Sequence, residues 1–229
     1  MPATTSLRRG LVFLERFLRN PREVGALFPS TRHLGLQMVD GLQLQQGNLV
    51  LEYGPGTGAL TDVIRERLLA DARYLGIERE ASFCTILGQR MGDLAFEHGR
   101  VEDVESILRR RDLPAPAAIL SGLPLILLPT MHEIVTTAAR ILRPGGTFRT
   151  FSYIQSYPTP AARRLRQLMS ATFAQFSISP LVTRTFPPAM VLCGVKADGR
   201  QAVADAPPAA GEPLRARRAP PPPPSAATK

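Results

Sequence analysis

The stretch Val50-Leu51-Glu52-Tyr53-Gly54-Pro55-Gly56-Thr57-Gly58 is the most informative part of this 229-residue chain for predicting its fold. It joins a short apolar run, typical of a buried strand, to Ala59–Leu69, where apolar residues recur at helical spacing. Glycines at such a junction allow a sharp turn and let the backbone pass close to a ligand. The N-terminus of the following helix adds free N–H groups and a partial positive charge. The stretch therefore predicts a strand, a glycine loop and a helix that together bind a ligand.

Two acidic residues lie at fixed places around this loop. Glu52 comes two residues before the first glycine, and Glu78 ends the next strand-like run, twenty residues after Gly58. A carboxylate at the place of Glu78 can accept hydrogen bonds from both hydroxyls of a ribose. The glycine spacing G-P-G-T-G matches neither the dinucleotide pattern G-x-G-x-x-G nor a P-loop, which needs a following Gly-Lys-Ser/Thr. The loop and its acids therefore predict a ribose-containing ligand bound in another way.

Strand-like and helix-like runs alternate along the chain. The strand-like runs are Asn48–Tyr53, Arg73–Glu78, Leu94–His98, Ala117–Ser121 and Thr147–Tyr153. The helix-like runs are Ala59–Leu69, Ala81–Met91, Val101–Arg110, Thr130–Leu142 and Ala161–Phe173. Ser177–Thr185 and Ala189–Val195 are expected to close the fold as a hairpin. This pattern predicts an α/β fold with a seven-stranded, mostly parallel sheet, helices on both faces and an antiparallel last strand.

The arrangement resembles the class I methyltransferases, whose glycine motif reads E-x-G-x-G-x-G. The turn Leu142-Arg143-Pro144-Gly145-Gly146 is similar to the one that precedes the fifth strand in that class. The resemblance implies a Rossmann-like fold and S-adenosylmethionine as the cofactor, with Glu52 at its cationic amino-acid end and Glu78 at its ribose. The cofactor-binding residues that it implies are Glu52, Gly54, Gly56, Thr57, Gly58, Glu78, Arg79, Arg100, Val101, Ser121 and Leu123.

The residue expected to contact the adenine departs from the pattern of this class. An acid often follows the third strand in class I methyltransferases, whereas this chain has Arg100 at that place. Either Glu102 or Asp103 replaces that acid, or backbone groups contact the adenine.

The turn after the fourth strand-like run bears on the substrate. Ser121-Gly122-Leu123-Pro124-Leu125 stands where adenine-modifying enzymes carry N-x-P-[YF] or D-P-P-[YF], whose polar and aromatic residues hold a flipped base. Ser121 and Leu125 provide neither the amide nor the ring. The turn therefore argues against methylation of a nucleic-acid base.

Three further stretches, together with this turn, resemble the bacterial phospholipid N-methyltransferase family. They are Asn20–Thr31, Phe151-Ser152-Tyr153 and Phe186–Val191, and the resemblance covers residues 7–197. It implies methyl transfer to the amine headgroup of phosphatidylethanolamine or a related aminolipid, giving methylated derivatives up to phosphatidylcholine. An enzyme similar to the rRNA adenine N6-methyltransferases is the first alternative. A non-catalytic module that binds a cofactor or a lipid is the second.

Candidate catalytic residues follow from the chemistry of an amine that accepts a methyl group. The amine must be neutral to attack, although a primary amine resembles lysine, with a pKa of about 10.4. Tyr153, at the end of the fifth strand, and Tyr157 are the candidates for accepting its proton or for holding a methylated ammonium by cation–π attraction. The three histidines, His33, His98 and His132, lack metal-ligand spacing, so no metal site is predicted.

Charge and composition predict the organisation of the whole chain. Leu7, Leu11, Leu14 and Leu18 form one helical stripe flanked by arginines, so residues 1–22 are predicted to be a basic amphipathic helix that binds membranes. A helix packed on its own domain is the alternative. Residues 23–197 are the predicted Rossmann-like methyltransferase domain, and residues 198–229 a disordered tail rich in Pro and Ala.

Composition also limits the compartment and the partners. Two cysteines, Cys84 and Cys193, make no disulfide framework, which favours a reducing compartment. No apolar run reaches the roughly 18 residues of a membrane span, and no secretory signal pattern is present. The net charge of +9 favours an anionic partner. We therefore expect a cytoplasmic protein on the inner membrane, which binds an anionic membrane surface and an aminophospholipid substrate rather than nucleic acid.

Overall fold

The computed structural model describes residues 30–42 and 47–198. The predicted amphipathic helix at residues 1–22 lies outside the described residues, as does the predicted tail beyond residue 198. Both remain predictions.

Seven strands and six α-helices make up the described residues, joined by two short 3-10 turns. The strands are β1 (Leu49–Tyr53), β2 (Arg73–Glu78), β3 (Ala95–His98), β4 (Ala118–Ser121), β5 (Thr147–Tyr153), β6 (Gln175–Ile178) and β7 (Ala189–Val195). The α-helices are α1 (Ser30–Val39), α2 (Ala59–Arg67), α3 (Ala81–Arg90), α4 (Val104–Arg110), α5 (Met131–Ile141) and α6 (Pro160–Thr172). The 3-10 turns are Val101–Asp103 and Leu125–Leu127.

All seven strands belong to one sheet, in the order β3-β2-β1-β4-β5-β7-β6. The first five are parallel, whereas β7 runs antiparallel to both β5 and β6. The predicted α/β fold, with its mostly parallel sheet and antiparallel last strand, is therefore confirmed. The strand order reverses between β1 and β4, and in open α/β sheets ligands bind at the carboxyl ends of the strands beside such a reversal.

Helices cover both faces of the sheet, and β1 is buried on both sides. Leu49 and Leu51 point to the face that also holds α4, α5 and α6. Val50 points to the opposite face, among residues of α1 and α2. Side chains alternate along a strand, so Glu52 shares the face of Val50. This register directs the Glu52 carboxylate toward α2 and β2.

The predicted strand Ser177–Thr185 is wrong in its extent, because β6 ends at Ile178. In the last regular hydrogen bond that this strand makes with β7, the Ser179 N–H donates to the Val191 carbonyl, 2.9 Å away. Pro180 follows and has no N–H to donate, which ends the pairing. The chain then leaves the sheet as a loop to β7, interrupted by one isolated bridge between Val182 and Ala189.

Candidate active site

A cavity of about 390 Å³ lies at the carboxyl ends of the parallel strands, beside the glycine loop. Its walls bring together ten of the residues that the sequence predicted for the site. These are Glu52, Gly54, Gly56, Thr57, Glu78, Arg79, Arg100, Val101, Leu123 and Tyr153. Three others, Gly58, Ser121 and Tyr157, do not line it. The topology, rather than proximity in the sequence, thus gathers residues from five strand ends into one place.

The glycine loop has a backbone that side chains would disturb. Gly54, Gly56 and Gly58 have φ of 71°, 55° and 85°, a left-handed conformation that favours glycine. A Cβ on Gly54 would lie 2.5 Å from the Leu123 side chain, whereas one on Gly56 would meet nothing within 4 Å. Gly56 therefore presents bare backbone to the cavity, and Gly58 acts as the N-cap of α2 without lining the cavity.

Glu78 ties this loop to the end of β2. Its Oε2 accepts a hydrogen bond from the Gly56 N–H at 2.9 Å, and its Oε1 accepts one from the Glu80 N–H at 3.0 Å. Each carboxylate oxygen can accept more than one hydrogen bond, so lone pairs remain for ligand hydroxyls. Glu78 thus shapes the loop and offers acceptors to the cavity at the same time.

Glu52 is fully buried in the wall of the cavity. Its Oε2 accepts hydrogen bonds from the Thr61 hydroxyl at 2.8 Å and the Tyr74 hydroxyl at 2.5 Å. Its Oε1 has no hydrogen-bond partner within the described residues. Burial raises the pKa of Glu52 to about 7. A buried acceptor without a partner is costly, and a cationic group in the cavity would relieve that cost.

These features fit S-adenosylmethionine. The free Oε1 of Glu52 suits its ammonium group, the Glu78 carboxylate suits its ribose hydroxyls, and the bare backbone at Gly56 permits close approach. The individual contacts remain predictions.

The part of the cavity predicted to hold the adenine keeps a carboxylate in spite of Arg100. Glu102 lines the cavity and Asp103 does not. The Glu102 Oε1 accepts hydrogen bonds from the Thr130 hydroxyl at 2.8 Å and from the Arg100 guanidinium at 3.4 Å. Burial alone would raise the pKa of Glu102, but hydrogen bonds from its own backbone, Thr130 and Arg100 lower it overall. Of the two predicted substitutes for the usual acid, the geometry favours Glu102.

Ser121 supports the wall without belonging to it. Its side chain is buried, and its hydroxyl accepts a hydrogen bond from the Leu123 N–H at 3.3 Å. This bond fixes the turn that brings Leu123 over the glycine loop.

Tyr153 and Tyr157, the two candidate catalytic residues, have different surroundings. Tyr153 lines the cavity and packs edge to face against Phe151, with ring centroids 5.3 Å apart. Burial raises the pKa of Tyr153 to about 12, so its phenol is neutral at physiological pH. The Tyr157 ring instead lies 3.8 Å from the Arg166 guanidinium, away from the cavity wall. The structure thus places Tyr153, but not Tyr157, in the cavity wall, and the catalytic role of Tyr153 stays a prediction.

Several apolar wall residues were not anticipated from the sequence. Leu34, Gly35 and Met38 of α1 cover one side of the cavity, and the Arg149 guanidinium holds the end of this helix by donating to the Met38 carbonyl at 2.9 Å. The spacing of four between Leu34 and Met38 was a helical signal that could have found them. The remaining apolar wall residues include Leu60, Phe83, Leu128, Ile134 and Phe151.

The described residues contain neither a candidate metal site nor a helix that could span a membrane. Within residues 30–42 and 47–198, no three His, Cys, Asp or Glu side chains lie together as a metal site would require. No helix in that part of the chain has the length and apolar character needed to cross a membrane.

Comparison with known proteins gives the family. No family model matches the chain. An ornithine lipid N-methyltransferase of Singulisphaera acidiphila is 30% identical over 142 residues, which cover 60% of this chain and 74% of that protein. The chain belongs to the same methyltransferase family. A ribosomal RNA small subunit methyltransferase A of Thermotoga neapolitana is 26% identical over 125 residues, or 54% of this chain, and the match spans only 46% of that protein.

Solved structures place this methyltransferase in the expected fold. The 1,6-didemethyltoxoflavin-N1-methyltransferase of Burkholderia thailandensis, solved with S-adenosylhomocysteine bound, superposes with a TM-score of 0.59 at 20% identity. The match covers 85% of this chain and 89% of that one. The predicted Rossmann-like class I fold is confirmed, and the S-adenosylhomocysteine bound in that neighbour supports S-adenosylmethionine as the predicted cofactor.

Proposed function

We propose that this methyltransferase transfers methyl groups from S-adenosylmethionine to the primary amine of a lipid headgroup. The observation that carries the substrate class is the 30% identity to an ornithine lipid N-methyltransferase, in a match that covers 74% of that protein. Ornithine and ethanolamine headgroups both present a primary amine. Phosphatidylethanolamine, methylated stepwise to phosphatidylcholine, is the substrate that the sequence resemblance favours within this class.

The cavity supports an amine acceptor through its aromatic side. S-adenosylmethionine supplies a methyl group bonded to a positively charged sulfonium sulfur. When the methyl group is transferred, the rest of the cofactor is the leaving group, a neutral thioether. Glu52 and Glu78 would hold the cofactor at its two polar ends. Phe151 and Tyr153 would then lie on the acceptor side, where ring faces attract a methylated ammonium. An apolar wall of this kind lowers the pKa of an amine and so favours its neutral, attacking form.

Tyr153 would orient the amine rather than remove its proton. A phenol with a raised pKa keeps its own proton at neutral pH, but its oxygen can accept a hydrogen bond from an amine N–H. That bond would direct the nitrogen lone pair along the line of displacement, which is a positioning effect. The extra proton of the methylated product would leave to solvent water.

Methylation of rRNA is the second candidate, because the matched small subunit methyltransferases share 26% identity with this chain. The turn after β4 argues against it. Ser121 is fully buried and Leu125 packs in the hydrophobic core, so neither side chain reaches the cavity to hold a base.

Attachment to the membrane belongs to the same proposal. A lipid headgroup is reached at a bilayer surface, and the predicted basic amphipathic segment at residues 1–22 would bind anionic lipid there. We propose a cytoplasmic enzyme held peripherally on the inner membrane.

The test is transfer of radiolabelled methyl from S-adenosylmethionine with three acceptors in parallel: phosphatidylethanolamine vesicles, ornithine lipid vesicles and total rRNA. The Glu78→Ala variant serves as the control with a damaged cofactor site. Label in either lipid, resolved by chromatography, supports the proposal, and the lipid that is labelled identifies the headgroup. Label in rRNA alone would refute it while leaving the cofactor unchanged.

A further inference from the structure

Large apolar side chains are exposed at the carboxyl edge of β5 and in the loop between β6 and β7. Among the described residues, five large apolar side chains are exposed, and three of them are Ile154, Leu181 and Phe186. Phe186 is the extreme case, with 72% of its surface accessible. A phenyl ring left in water to this extent is unfavourable unless a partner covers it.

Backbone pairing connects these residues to the cavity. Tyr153, which lines the cavity, pairs with Ala189 across β5 and β7, and Val182 bridges to the same residue. The Ile154 N–H donates to the Pro188 carbonyl at 2.9 Å. Ile154 is therefore one residue beyond the cavity wall, and Leu181 and Phe186 lie on the loop that flanks it.

The same edge is positively charged. Residues 134–197 contain no Asp or Glu, but seven Arg and one Lys. Arg163 and Arg164 lie near the start of α6, which follows the carboxyl end of β5, and Arg184 lies on the β6–β7 loop. All three are exposed, and none forms an ion pair within the described part of the chain. By contrast, Arg65 and Arg110 each pair with a carboxylate.

We propose that this edge is a second membrane contact, on the folded domain itself, which docks on an anionic phospholipid bilayer. We name it the carboxyl-edge patch, and it consists of Ile154, Arg163, Arg164, Leu181, Arg184 and Phe186. Apolar side chains that enter the interface, ringed by arginines that attract anionic headgroups, are the chemistry that binds such a surface. Nucleic acid would be recognised by the arginines and would stack on the Phe186 ring, but it would leave the exposed aliphatic side chains of Ile154 and Leu181 in water.

The proposal rests on the proposed function, because a headgroup must enter the acceptor side of the cavity while its acyl chains remain in the bilayer. The patch adjoins Tyr153 through Ile154 and Pro188. Docking through this patch would bring the acceptor side of the cavity close to the bilayer surface. The headgroup would then move only a short distance from the bilayer into the cavity.

The experiment measures binding of the full chain to vesicles by sedimentation. Vesicles of phosphatidylcholine alone are compared with vesicles that also contain phosphatidylglycerol. The L181S/F186S variant should bind the anionic vesicles about tenfold more weakly or worse, because two apolar side chains no longer enter the interface. The matched control is L69S/I86S, which removes two other exposed large apolar side chains, both outside the patch, and should bind as the wild type does.

A second pair of variants tests the charge and remains informative if the apolar variant folds poorly. R163Q/R184Q should lose about tenfold in binding to anionic vesicles, and the loss should shrink as salt is raised. Arg109→Gln, an exposed arginine at the C-terminal end of α4, should leave binding unchanged. Wild-type binding by both patch variants would overturn the proposal, and so would variants that lose affinity for rRNA but not for vesicles.

Methyl-transfer activity, measured in vesicles and in detergent, distinguishes a failure of the docking proposal from a failure of the proposed function. The patch variants should lose activity on phosphatidylethanolamine in vesicles but keep it on the same lipid dispersed in detergent, where no bilayer has to be reached. A wild-type enzyme that methylates neither phosphatidylethanolamine nor ornithine lipid in either preparation, yet binds vesicles through the patch, would refute the proposed function and leave the docking surface standing. Equal loss in vesicles and in detergent would instead place the patch residues in the active site and overturn the proposal.

Discussion

The two halves of the sheet bring different side chains to the cavity. The side built from β1, β2 and β3 supplies carboxylates and a bare backbone loop: residues 47–133 contain thirteen acids, among them Glu52 and Glu78. The side built from β5, β6 and β7 supplies rings and apolar side chains, and residues 134–197 contain no acid. The cavity lies between them, with Glu52 in one wall and Tyr153 in the other.

This difference matches the chemistry of the two reactants. A cofactor with an ammonium group and ribose hydroxyls needs fixed hydrogen-bond acceptors, which carboxylates provide. An amine acceptor must lose its charge before it attacks, so carboxylates near it would raise its pKa and oppose the reaction. The contrast predicts that variants on the first side change cofactor affinity, whereas variants on the second change turnover.

The largest effect is expected for Glu78→Ala. The substitution removes the predicted acceptor for the ribose hydroxyls, and it removes the observed hydrogen bond from the Gly56 N–H that shapes the loop. Two charge-assisted hydrogen bonds are each worth about 1.5–3 kcal/mol, so affinity for S-adenosylmethionine should fall at least about 100-fold by titration calorimetry. Glu133→Ala, at an exposed acid on α5, is the control. An affinity of Glu78→Ala within threefold of wild type would sink the ribose assignment.

Glu52→Gln should change how cofactor binding depends on pH. With a pKa of about 7, the wild-type carboxylate is protonated at lower pH and cannot pair with an ammonium. Wild-type affinity should therefore fall by about tenfold for each pH unit below 7. The variant should bind weakly at pH 8 and lack this dependence. If cofactor affinity changed with pH in the same way for the wild type and for Glu52→Gln, Glu52 would not pair with the cationic end of the cofactor.

The same substitution should stabilise the ligand-free protein above neutral pH. The folded-state pKa of Glu52 lies above its ordinary value of 4.5, so its contribution to stability is fully present below pH 4.5 and is lost as the pH rises to about 7. At pH 8 Glu52→Gln should unfold with a free energy up to about 3 kcal/mol higher than wild type. Denaturant titration at pH 8 and at pH 5 measures this, and a variant less stable at pH 8 would contradict it.

Tyr153→Phe tests the acceptor side. Loss of the phenol hydroxyl removes the proposed hydrogen bond to the amine, so kcat should fall about tenfold while the affinity for S-adenosylmethionine stays the same. Tyr157→Phe is the control, because that ring lies under Arg166 and outside the cavity wall. If Tyr153→Phe weakened cofactor binding and left kcat intact, the proposed division between the two sides of the sheet would be wrong.

The smallest effect is expected for Tyr74→Phe, which acts through Glu52. The Tyr74 hydroxyl donates to the Glu52 Oε2, and this bond lowers the pKa of Glu52. Its loss should move the midpoint of pH-dependent cofactor binding upward and weaken affinity a few-fold at neutral pH. Affinity should recover at pH 9, where the carboxylate is charged again. A uniform loss at every pH would indicate a packing defect at the Tyr74–Phe96 contact instead.

The sequence predicted the cofactor side better than the acceptor side for a physical reason. Left-handed backbone at Gly54, Gly56 and Gly58 restricts those positions to glycine, so the requirement is visible in the residues themselves. Aromatic and apolar residues serve equally well in a core and in a substrate pocket. The residue types of Phe151 and Leu34 therefore do not indicate that they line the cavity. Tyr153 ends the fifth strand and Tyr157 lies four residues later, so the sequence does not separate the two, although only Tyr153 lies in the cavity wall.

The sequence alone predicts the succession of strands and helices along the chain, the glycine loop and the two acids around it, because local backbone geometry and periodicity dictate these features. The tertiary structure decided which oxygen of Glu52 stays free, because the hydrogen bonds from Thr61 and Tyr74 come from two other elements. It also decided that Ile154, Leu181 and Phe186 share one edge, because antiparallel pairing of β5 with β7 joins segments distant in the chain. Contacts between distant segments depend on the packing of the whole chain, and no local pattern encodes them.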